Sequence, residues 1–94
     1  MDSGLEFEWD PEKAQANFRK HGITFEKAIA VFFDPLMVSF EDDRFAYGEV
    51  RELAVGSVDA AIVAVVYVER LENVIRIISA RPATPQERRY YAND

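Results

Sequence analysis

Residues 60–70 read AAIVAVVYVER, an apolar run that is interrupted only at its end. A strand with apolar residues on both faces needs cover on both sides, which is the situation of a central strand in a sheet. The whole chain has 94 residues, enough for one domain with one core. The run therefore predicts a central strand with the rest of the chain arranged around it.

A short strand and two helices are predicted before this run. The alternation of apolar and acidic residues in LEFEW at 5–9 indicates a strand with its apolar side inward. Asp10 and Pro11 are typical of a helix start, and Gly22 is placed to end that helix in a left-handed cap. Thr24 caps a second helix, and the short connection predicts a helical hairpin. The helix positions expected to face inward are Ala14, Asn17, Phe18, His21, Phe25, Ala28, Ile29, Phe32 and Phe33.

Helical spacing stops at Asp34 and Pro35, and strand patterns follow. The predicted strands lie at 36–40, 50–56, 60–70 and 74–81. Their short connections favour antiparallel pairing of consecutive strands. A capping box from Thr84 to Glu87 then starts a short helix that ends at about Tyr91. The order of elements predicts a compact α+β fold in a single domain, residues 1–94.

Composition excludes several classes of function. The chain has no cysteine and a single histidine, which excludes disulfides, thiolate metal sites and multi-histidine metal sites. No stretch approaches the ~20 apolar residues of a membrane span, and the start MDSGLEFEWD is acidic where a signal peptide is basic. Phosphate-binding loops, dinucleotide fingerprints and nucleophile elbows are absent. These observations predict a cytoplasmic protein with no cofactor, no metal and no membrane association.

Charge is distributed unevenly along the chain. Residues 1–69 carry 6 basic and 14 acidic side chains, a balance of −8, whereas residues 70–91 have a balance of +3. All five cations of that second segment are arginines, which recognise phosphate in a bidentate manner better than lysine does. The acidic stretch Glu41, Asp42 and Asp43 is interpreted as a solvated loop. A phosphate site is therefore expected near the end of the chain.

Cleavage of RNA by its own 2′-hydroxyl makes three demands. One group accepts the 2′ proton, one holds the charged phosphorane, and one protonates the 5′ oxygen. Arginine can meet the second demand, and a carboxylate, histidine or tyrosine the others. Tyr90 and Tyr91 can also stack on bases. Each candidate has a structural reading as well: Arg76 as the polar member of an alternating strand, Glu69 and Arg70 as surface charge, and His21, Arg88 and Arg89 as cations at helix ends.

Arg76 and Arg81 present a problem of geometry. Their odd spacing places them on opposite faces of a regular strand. They can reach one cleft if a bulge intervenes, or if Arg81 already lies beyond the end of the strand. We favour the second explanation, because Pro82 follows at once and limits further ladder pairing.

Taken together, these motifs resemble the BrnT family of bacterial type II toxins, small ribonucleases related in fold to the RelE toxins. The similarity covers nearly the full length of the chain. The matching segments are FEWDPEKAQANFRKHGITFEKAIAVFFDP (7–35), RELAVG (51–56), VVYVER (65–70), IRIISAR (75–81) and ATPQERRYY (83–91).

The resemblance implies a RelE-like fold, in which an N-terminal strand and a helical hairpin pack on a twisted antiparallel sheet with a short C-terminal helix. It also implies an endoribonuclease that cleaves RNA without metal and arrests growth. The polar positions carried over for catalysis are Arg81, Arg76, Glu69, His21 and Tyr91. We assign Arg81 and Arg76 to phosphate and transition-state charge, Glu69 or His21 to proton transfer, and Tyr91 to a place beside the substrate. The positions assigned to RNA binding are Arg51, Arg70, Arg88 and Arg89.

The partners implied by the family are RNA and a BrnA-type antitoxin with a ribbon-helix-helix-like DNA-binding end. Through that antitoxin the toxin contacts operator DNA indirectly, in an assembly that can contain a toxin dimer within a heterotetramer. Two features depart from the family pattern. Val68 stands where a threonine is common, and the net charge of −6 contrasts with the basic toxins of the family. A negative chain repels RNA at long range, so a second hypothesis is a catalytically weak or inactive partner that binds the antitoxin and modulates its repression.

Overall fold

A computed structural model describes residues 4–42 and 49–92. The strands are β1 (Glu6–Glu8), β2 (Val38–Asp42), β3 (Arg51–Val58), β4 (Ala61–Glu69) and β5 (Val74–Pro82). The helices are α1 (Pro11–His21), α2 (Phe25–Ala28), which continues as a 3₁₀ helix at Ile29–Phe33, and α3 (Pro85–Ala92). The predictions made for residues 43–48, including Asp43, lie outside the described residues.

The five strands form one sheet in the order β1-β5-β4-β3-β2. The apolar run is the central strand β4, as predicted, and its residues 63–68 are all buried. Strands β2 to β5 form the predicted antiparallel meander. The prediction of a purely antiparallel sheet is wrong, because β1 pairs with β5 in parallel. The two helices carry the chain from β1 across to the far edge of the sheet, and only the folded structure fixes the direction in which β1 and β5 meet.

Local helix signals are confirmed by their hydrogen bonds. The side chain of Asp10 accepts from the Glu12 N–H, and that of Thr24 accepts from the Lys27 N–H. Gly22 has a φ of 73° and donates its N–H to the Phe18 carbonyl, which closes α1 in a left-handed cap. The hairpin itself is shorter than predicted, since α2 has only four residues before the 3₁₀ helix begins.

Each face of the sheet has its own core. Helices α1 and α2 and the 3₁₀ helix cover one face, which we call the helix face. The buried residues of the helix face include Phe25, Val31, Val65, Tyr67 and Ile77. Helix α3 lies on the opposite face, which we call the α3 face, where the buried residues are Leu53, Val55, Ala64 and Val66. The buried positions of β4 alternate between these two cores.

The prediction of a continuous aromatic core stripe is wrong at two positions. Phe18 is 52% exposed and Phe33 is 54% exposed, whereas Phe25 is fully buried. Asn17 occupies the buried position of α1, and Phe18 points away because it lies one residue, about 100°, further around the helix. Phe32 turns inward onto Tyr67, with ring centroids 5.0 Å apart, and its neighbour Phe33 is left at the surface.

Two of the three residues of the acidic stretch lie in a strand. Glu41 and Asp42 belong to β2, opposite Glu52 and Arg51 of β3, so their interpretation as loop residues is wrong. The strand continues past the predicted end because β3 offers hydrogen-bonding partners as far as Arg51, and pairing with β3 outweighs the low strand propensity of acidic residues.

Candidate active site

A β-bulge in β5 brings the two candidate arginines to one face of the sheet. Val66 lies opposite Ser79 and Tyr67 opposite Ile77, so that Ile78 is an extra residue in β5. Beyond the bulge the side chains exchange faces. Arg76 lies opposite Val68 and Arg81 opposite Ala64, and both therefore project from the α3 face.

The expectation that Arg81 lies beyond the end of the strand is wrong. Strand β5 continues to Pro82, which lies opposite Val63. Proline is accommodated because the Ala83 N–H, at 3.0 Å from the Ile62 carbonyl, supplies the next hydrogen bond to β4. The N–H that Pro82 lacks would have pointed to the outer edge of β5, where no strand pairs with it.

Arg81 is held by Glu87 of α3 in a bidentate ion pair. Its Nη1 and Nη2 atoms lie 2.8 Å and 2.9 Å from the two carboxylate oxygens of Glu87. The two side chains are only 20% and 12% exposed. Glu87 also accepts from the Thr84 N–H at 2.9 Å, and the Thr84 hydroxyl accepts from the Glu87 N–H, as the predicted capping box requires. The hydrogen bonds from Arg81 are the main cause that lowers the pKa of Glu87.

Arg76 and Arg70 share a single carboxylate. Strand β1 places Glu8 beside Arg76, and Glu8 Oε2 lies 3.3 Å from Arg76 Nη1 and 3.9 Å from Arg70 Nε. Two guanidinium groups thus lie against one carboxylate, and Glu6 lines the same groove as Glu8 and Arg70. The guanidinium of Arg76 turns towards β1 and that of Arg81 towards α3, and their Cα atoms are roughly 13 Å apart along the sheet. One phosphate cannot bridge the two arginines in this arrangement.

Tyr91 is bound to the aspartate that follows the 3₁₀ helix. Its hydroxyl donates to Asp34 Oδ2 at 2.6 Å, and Asp34 also accepts from the Ser57 N–H at 2.8 Å and the Leu36 N–H at 2.9 Å. This hydrogen bond is the main cause of two pKa shifts. It lowers the pKa of Asp34 and raises the pKa of Tyr91. The Tyr91 proton is therefore tightly held at neutral pH.

His21, the last residue of α1, lies within electrostatic reach of Arg81. Partial burial lowers the pKa of its imidazole, and the positive charges of Lys20 and Arg81 lower it further. The imidazole is thereby kept neutral at pH 7, the form that accepts a proton.

Comparison with known proteins decides the family. Residues 9–87 match the family described as "Ribonuclease toxin, BrnT, of type II toxin-antitoxin system". The chain belongs to the BrnT family. The structure is similar to the 1.1 Å crystal structure of the Brucella abortus ribonuclease toxin BrnT, with a TM-score of 0.64 and 26% identity over 85% of this chain and 97% of that one. No curated protein matches the chain.

Membership in the BrnT family confirms the resemblance read from the sequence motifs. The family consists of ribonuclease toxins, and a toxin of a type II system has an antitoxin as its partner. The structure carries no helix long and apolar enough to cross a membrane among its described residues. Within residues 4–42 and 49–92, no three His, Cys, Asp or Glu side chains are placed to hold a metal ion.

The remaining candidate residues of this BrnT chain are dispersed. Glu69 lies opposite Ile75, so its side chain belongs to the helix face, away from Arg76. Arg51 is half-buried at the start of β3, and Arg88 and Arg89 are exposed on α3. The structure thus brings Arg76 together with Arg70 and places His21 in a cavity with Pro82, the residue after Arg81, while Glu69 and Tyr91 belong to other surroundings.

Three carboxylates of this site were missed as functional residues. Glu8 was read only as the polar member of a strand, Glu87 as a capping residue and Asp34 as the end of a helix. The sequence offered one signal for the pairing of Arg81 with Glu87, namely their separation of six residues. A helix that begins three residues after a strand folds back over the last residues of that strand. No sequence signal pairs Glu8 with Arg76, because their contact depends on the parallel register of β1.

Proposed function

We propose that this BrnT chain cleaves RNA without a metal ion, arrests growth in the cytoplasm, and is neutralised by a BrnA-type antitoxin. The observation that carries the proposal is the bulge at Ile78, which turns Arg76 and Arg81 to one face of the sheet. The arrangement of helices over a twisted sheet supports a RelE-like classification of the fold as part of the same proposal.

In this proposal Arg81 stabilises the phosphorane at the scissile phosphate. Its guanidinium is oriented by Glu87 and still presents an edge that Glu87 does not occupy, because guanidinium has five N–H donors and the ion pair uses two. A fixed cationic donor can stabilise the developing charge without reorganising, which is the main demand of the reaction. Arg76 and Arg70 each hold a neighbouring phosphate of the substrate.

His21 is the proposed proton carrier. Its imidazole is kept neutral, and it lines a cavity with Pro82, the residue that follows Arg81, so it is placed to take the 2′ proton and return it to the 5′ oxygen. Glu69 is the weaker candidate, since it lies opposite Ile75, at the other end of β5 from Arg81. Tyr91 contributes by holding α3 against Asp34 rather than by giving up its proton.

The test is RNA cleavage by purified variants in the presence of a chelator. Arg81→Ala is expected to lower the cleavage rate by about 100-fold or more, the typical loss when one transition-state donor is removed. Arg19→Ala, at an exposed arginine on α1 that has no assigned role in the site, is the matched control and is expected to retain the wild-type rate. Loss of cleavage on addition of the chelator would contradict the proposal of a metal-independent reaction.

A structural role of Arg81 has to be separated from a chemical one. Glu87→Gln breaks the same ion pair but leaves the guanidinium in place. Catalysis by Arg81 predicts that Glu87→Gln retains most of the activity that Arg81→Ala loses. Equal losses in both variants would mean that the ion pair, and not the guanidinium by itself, is what the activity requires.

A specific observation favours a second candidate function. Both arginines of the proposed site are already paired with carboxylates, Arg76 with Glu8 and Arg81 with Glu87, and the chain carries a net charge of −6. Such a protein could act as a weak or inactive partner of a DNA-binding antitoxin and modulate operator repression, within a heterotetramer that contains a toxin dimer. Intact RNA at high protein and low salt, together with tight antitoxin binding, would support this candidate.

A further inference from the structure

A groove of about 360 Å³ lies on the α3 face between β2 and α3. We call it the β2–α3 groove. Its apolar lining is provided by Phe40, Leu53 and Tyr90, and its acidic lining by Glu41, Asp42 and Glu87. It adjoins the proposed active site, since Glu87 is the residue that binds Arg81.

Two aromatic rings of the groove remain accessible to solvent. Phe40 is 38% exposed and Tyr90 is 50% exposed. Their ring centroids lie 5.7 Å apart with an interplanar angle of 66°, an edge-to-face pair. Aromatic residues are enriched at the centre of protein interfaces.

The charged side chains in the described lining of the groove are all acidic. Glu41 is exposed, and Asp42 and Glu87 are partly buried. The negative charge of these side chains disfavours the phosphate backbone of RNA and favours a cationic partner, because like charges in an interface are costly. The aromatic rings add to the preference, since lysine and arginine are attracted to the faces of aromatic rings.

A second groove of similar size makes a useful comparison. It lies between α1 and α2 and is lined by Trp9, Phe18, Arg19 and Glu26 among others. Phe18 is 52% exposed, close to the value for Tyr90. The charged residues of this α1–α2 groove have both signs, and it therefore selects no partner by charge.

We propose that the β2–α3 groove is the docking surface for a cationic segment of the antitoxin, one with lysine or arginine beside at least one large apolar side chain. The proposal rests on the proposed function in one respect, namely that Arg81 contacts RNA. A segment seated in the groove places its cations near Glu41 and Asp42 and packs against α3, and so it covers the approach to Arg81, whose guanidinium stays on Glu87. Binding of the antitoxin segment in the groove then inhibits RNA cleavage directly.

The probe is a fluorescently labelled amphipathic peptide of leucine and arginine, with a peptide of leucine and glutamate of the same length as its control. Binding is followed by anisotropy without RNA, so the result does not depend on cleavage activity. The arginine peptide is expected to bind the wild-type chain and the glutamate peptide is expected not to. Since Trp9, the single tryptophan, lines the α1–α2 groove, its fluorescence is expected to stay unchanged.

Variants in matched pairs locate the binding surface. Tyr90→Ala is expected to weaken peptide binding about tenfold, as the loss of an aromatic anchor does, and Phe18→Ala is expected to leave it unchanged. Glu41→Gln, with an exposed strand side chain that the fold does not need, is expected to weaken binding about threefold. Glu26→Gln makes the same change of charge in the α1–α2 groove and is expected to have no effect.

Three outcomes would overturn the proposal. An equal loss of affinity in Phe18→Ala and Tyr90→Ala would indicate non-specific attraction to an acidic protein. Binding of the glutamate peptide as tightly as the arginine peptide would remove the argument from charge. Binding of a single-stranded RNA that weakens in Tyr90→Ala would identify the groove as an RNA surface instead.

Discussion

At the scale of the residue, Glu87 has two roles that are usually separate. It closes the capping box at the start of α3 by accepting the Thr84 N–H, and it orients Arg81 through both carboxylate oxygens. Its partner is shielded from solvent, so the pair is more than a surface ion pair, which typically contributes at most about 1 kcal/mol. The position of the helix and the orientation of the arginine are thereby linked through one side chain.

Protonation of Glu87 is expected to destabilise the protein as the pH falls below 4.5. Pairing with Arg81 lowers the pKa of Glu87 from its usual value of 4.5, so the stabilisation is present at neutral pH and is lost as the pH falls from 4.5 through the folded-state pKa. Glu87→Gln is expected to lower the free energy of unfolding at pH 7 by about 1–3 kcal/mol. Urea unfolding measured from pH 7 to pH 3 should then show a smaller acid-induced loss in the variant. The same loss in both proteins would contradict the assignment.

A second residue-scale prediction concerns the turn between β3 and β4. Asp59 and Ala60 have φ values of 50° and 69°, a left-handed conformation that penalises residues with a Cβ atom. Ala60→Gly is expected to raise the free energy of unfolding by about 0.5–1 kcal/mol, despite the greater freedom of glycine in the unfolded chain. Ala16→Gly at an exposed position of α1 is the control and should lower it by about 1 kcal/mol. Thermal unfolding of the two variants should show changes of opposite sign.

Single residues were predictable where their role is local. The caps at Asp10, Gly22 and Thr24 follow from backbone hydrogen bonds within a few positions, and all three are confirmed. The outward position of Phe18 was missed because helical spacing alone does not say which of two neighbouring residues faces the sheet. Asn17 takes the inward position, since its amide has two hydrogen-bonding partners there.

At the scale of the element, α1 completes the outer edge of β5. Strand β1 pairs with β5 only as far as Arg76. Beyond that point the side chain of Asn17 in α1 forms hydrogen bonds with the outer edge of β5. Its side-chain oxygen accepts from the Ala80 N–H at 3.1 Å, while its amide nitrogen donates to the Ala80 carbonyl at 2.9 Å and to the Ile23 carbonyl at 3.1 Å. A single amide thus acts as the missing strand partner of the residue before Arg81.

Asn17→Ala is therefore expected to be strongly destabilising. It leaves the buried N–H and carbonyl of Ala80 without partners, and each such group costs about 1–3 kcal/mol. A loss of about 2–4 kcal/mol in the free energy of unfolding is expected from urea titration. Gln15→Ala, two residues away on the exposed side of α1, is the control and should change it by at most about 0.5 kcal/mol. A small effect of Asn17→Ala would mean that water replaces the amide.

Element order and type were predictable because each element has a distinct pattern of apolar residues, and the central position of β4 follows from its length of unbroken apolar sequence. The parallel pairing of β1 was not predictable, since it depends on how the helices return the chain. The bulge at Ile78 was recognised as one of two possibilities, but the other was preferred. Nothing distinguishes Ile78 from its neighbours in sequence, because the bulge is decided by the hydrogen bonds that β4 offers.

At the scale of the whole molecule, an acidic protein must bind a polyanion through a small number of arginines. The net charge of −6 slows association by repulsion at long range. The proposed site gathers Arg70, Arg76 and Arg81 on one side of the sheet, where they contact separate phosphates. Binding then depends on these few contacts and little on the overall field of the protein.

The salt dependence of RNA binding is expected to report the number of phosphates that these arginines contact. For three phosphates on a single strand, the slope of log K against log salt concentration is about −2. Arg76→Ala should reduce that slope by about 0.7, and Arg19→Ala on the exposed side of α1 should leave it unchanged. The measurement uses an RNA with 2′-O-methyl groups, which can be bound but not cleaved. An unchanged slope in Arg76→Ala would exclude this arginine as a phosphate contact.

The bulge makes the active site depend on the length of one segment rather than on its composition. Between Arg76 and Arg81 the chain contains four residues, one more than a regular strand has between two side chains on the same face. Isoleucine at position 78 can be exchanged for another residue without moving Arg81. Removal of Ile78 would leave a regular strand in which both arginines still share a face, whereas a single-residue insertion that keeps the one bulge would turn Arg81 into the helix face. Natural variation in this stretch should therefore include substitutions and loss of the bulged residue, but not single-residue insertions.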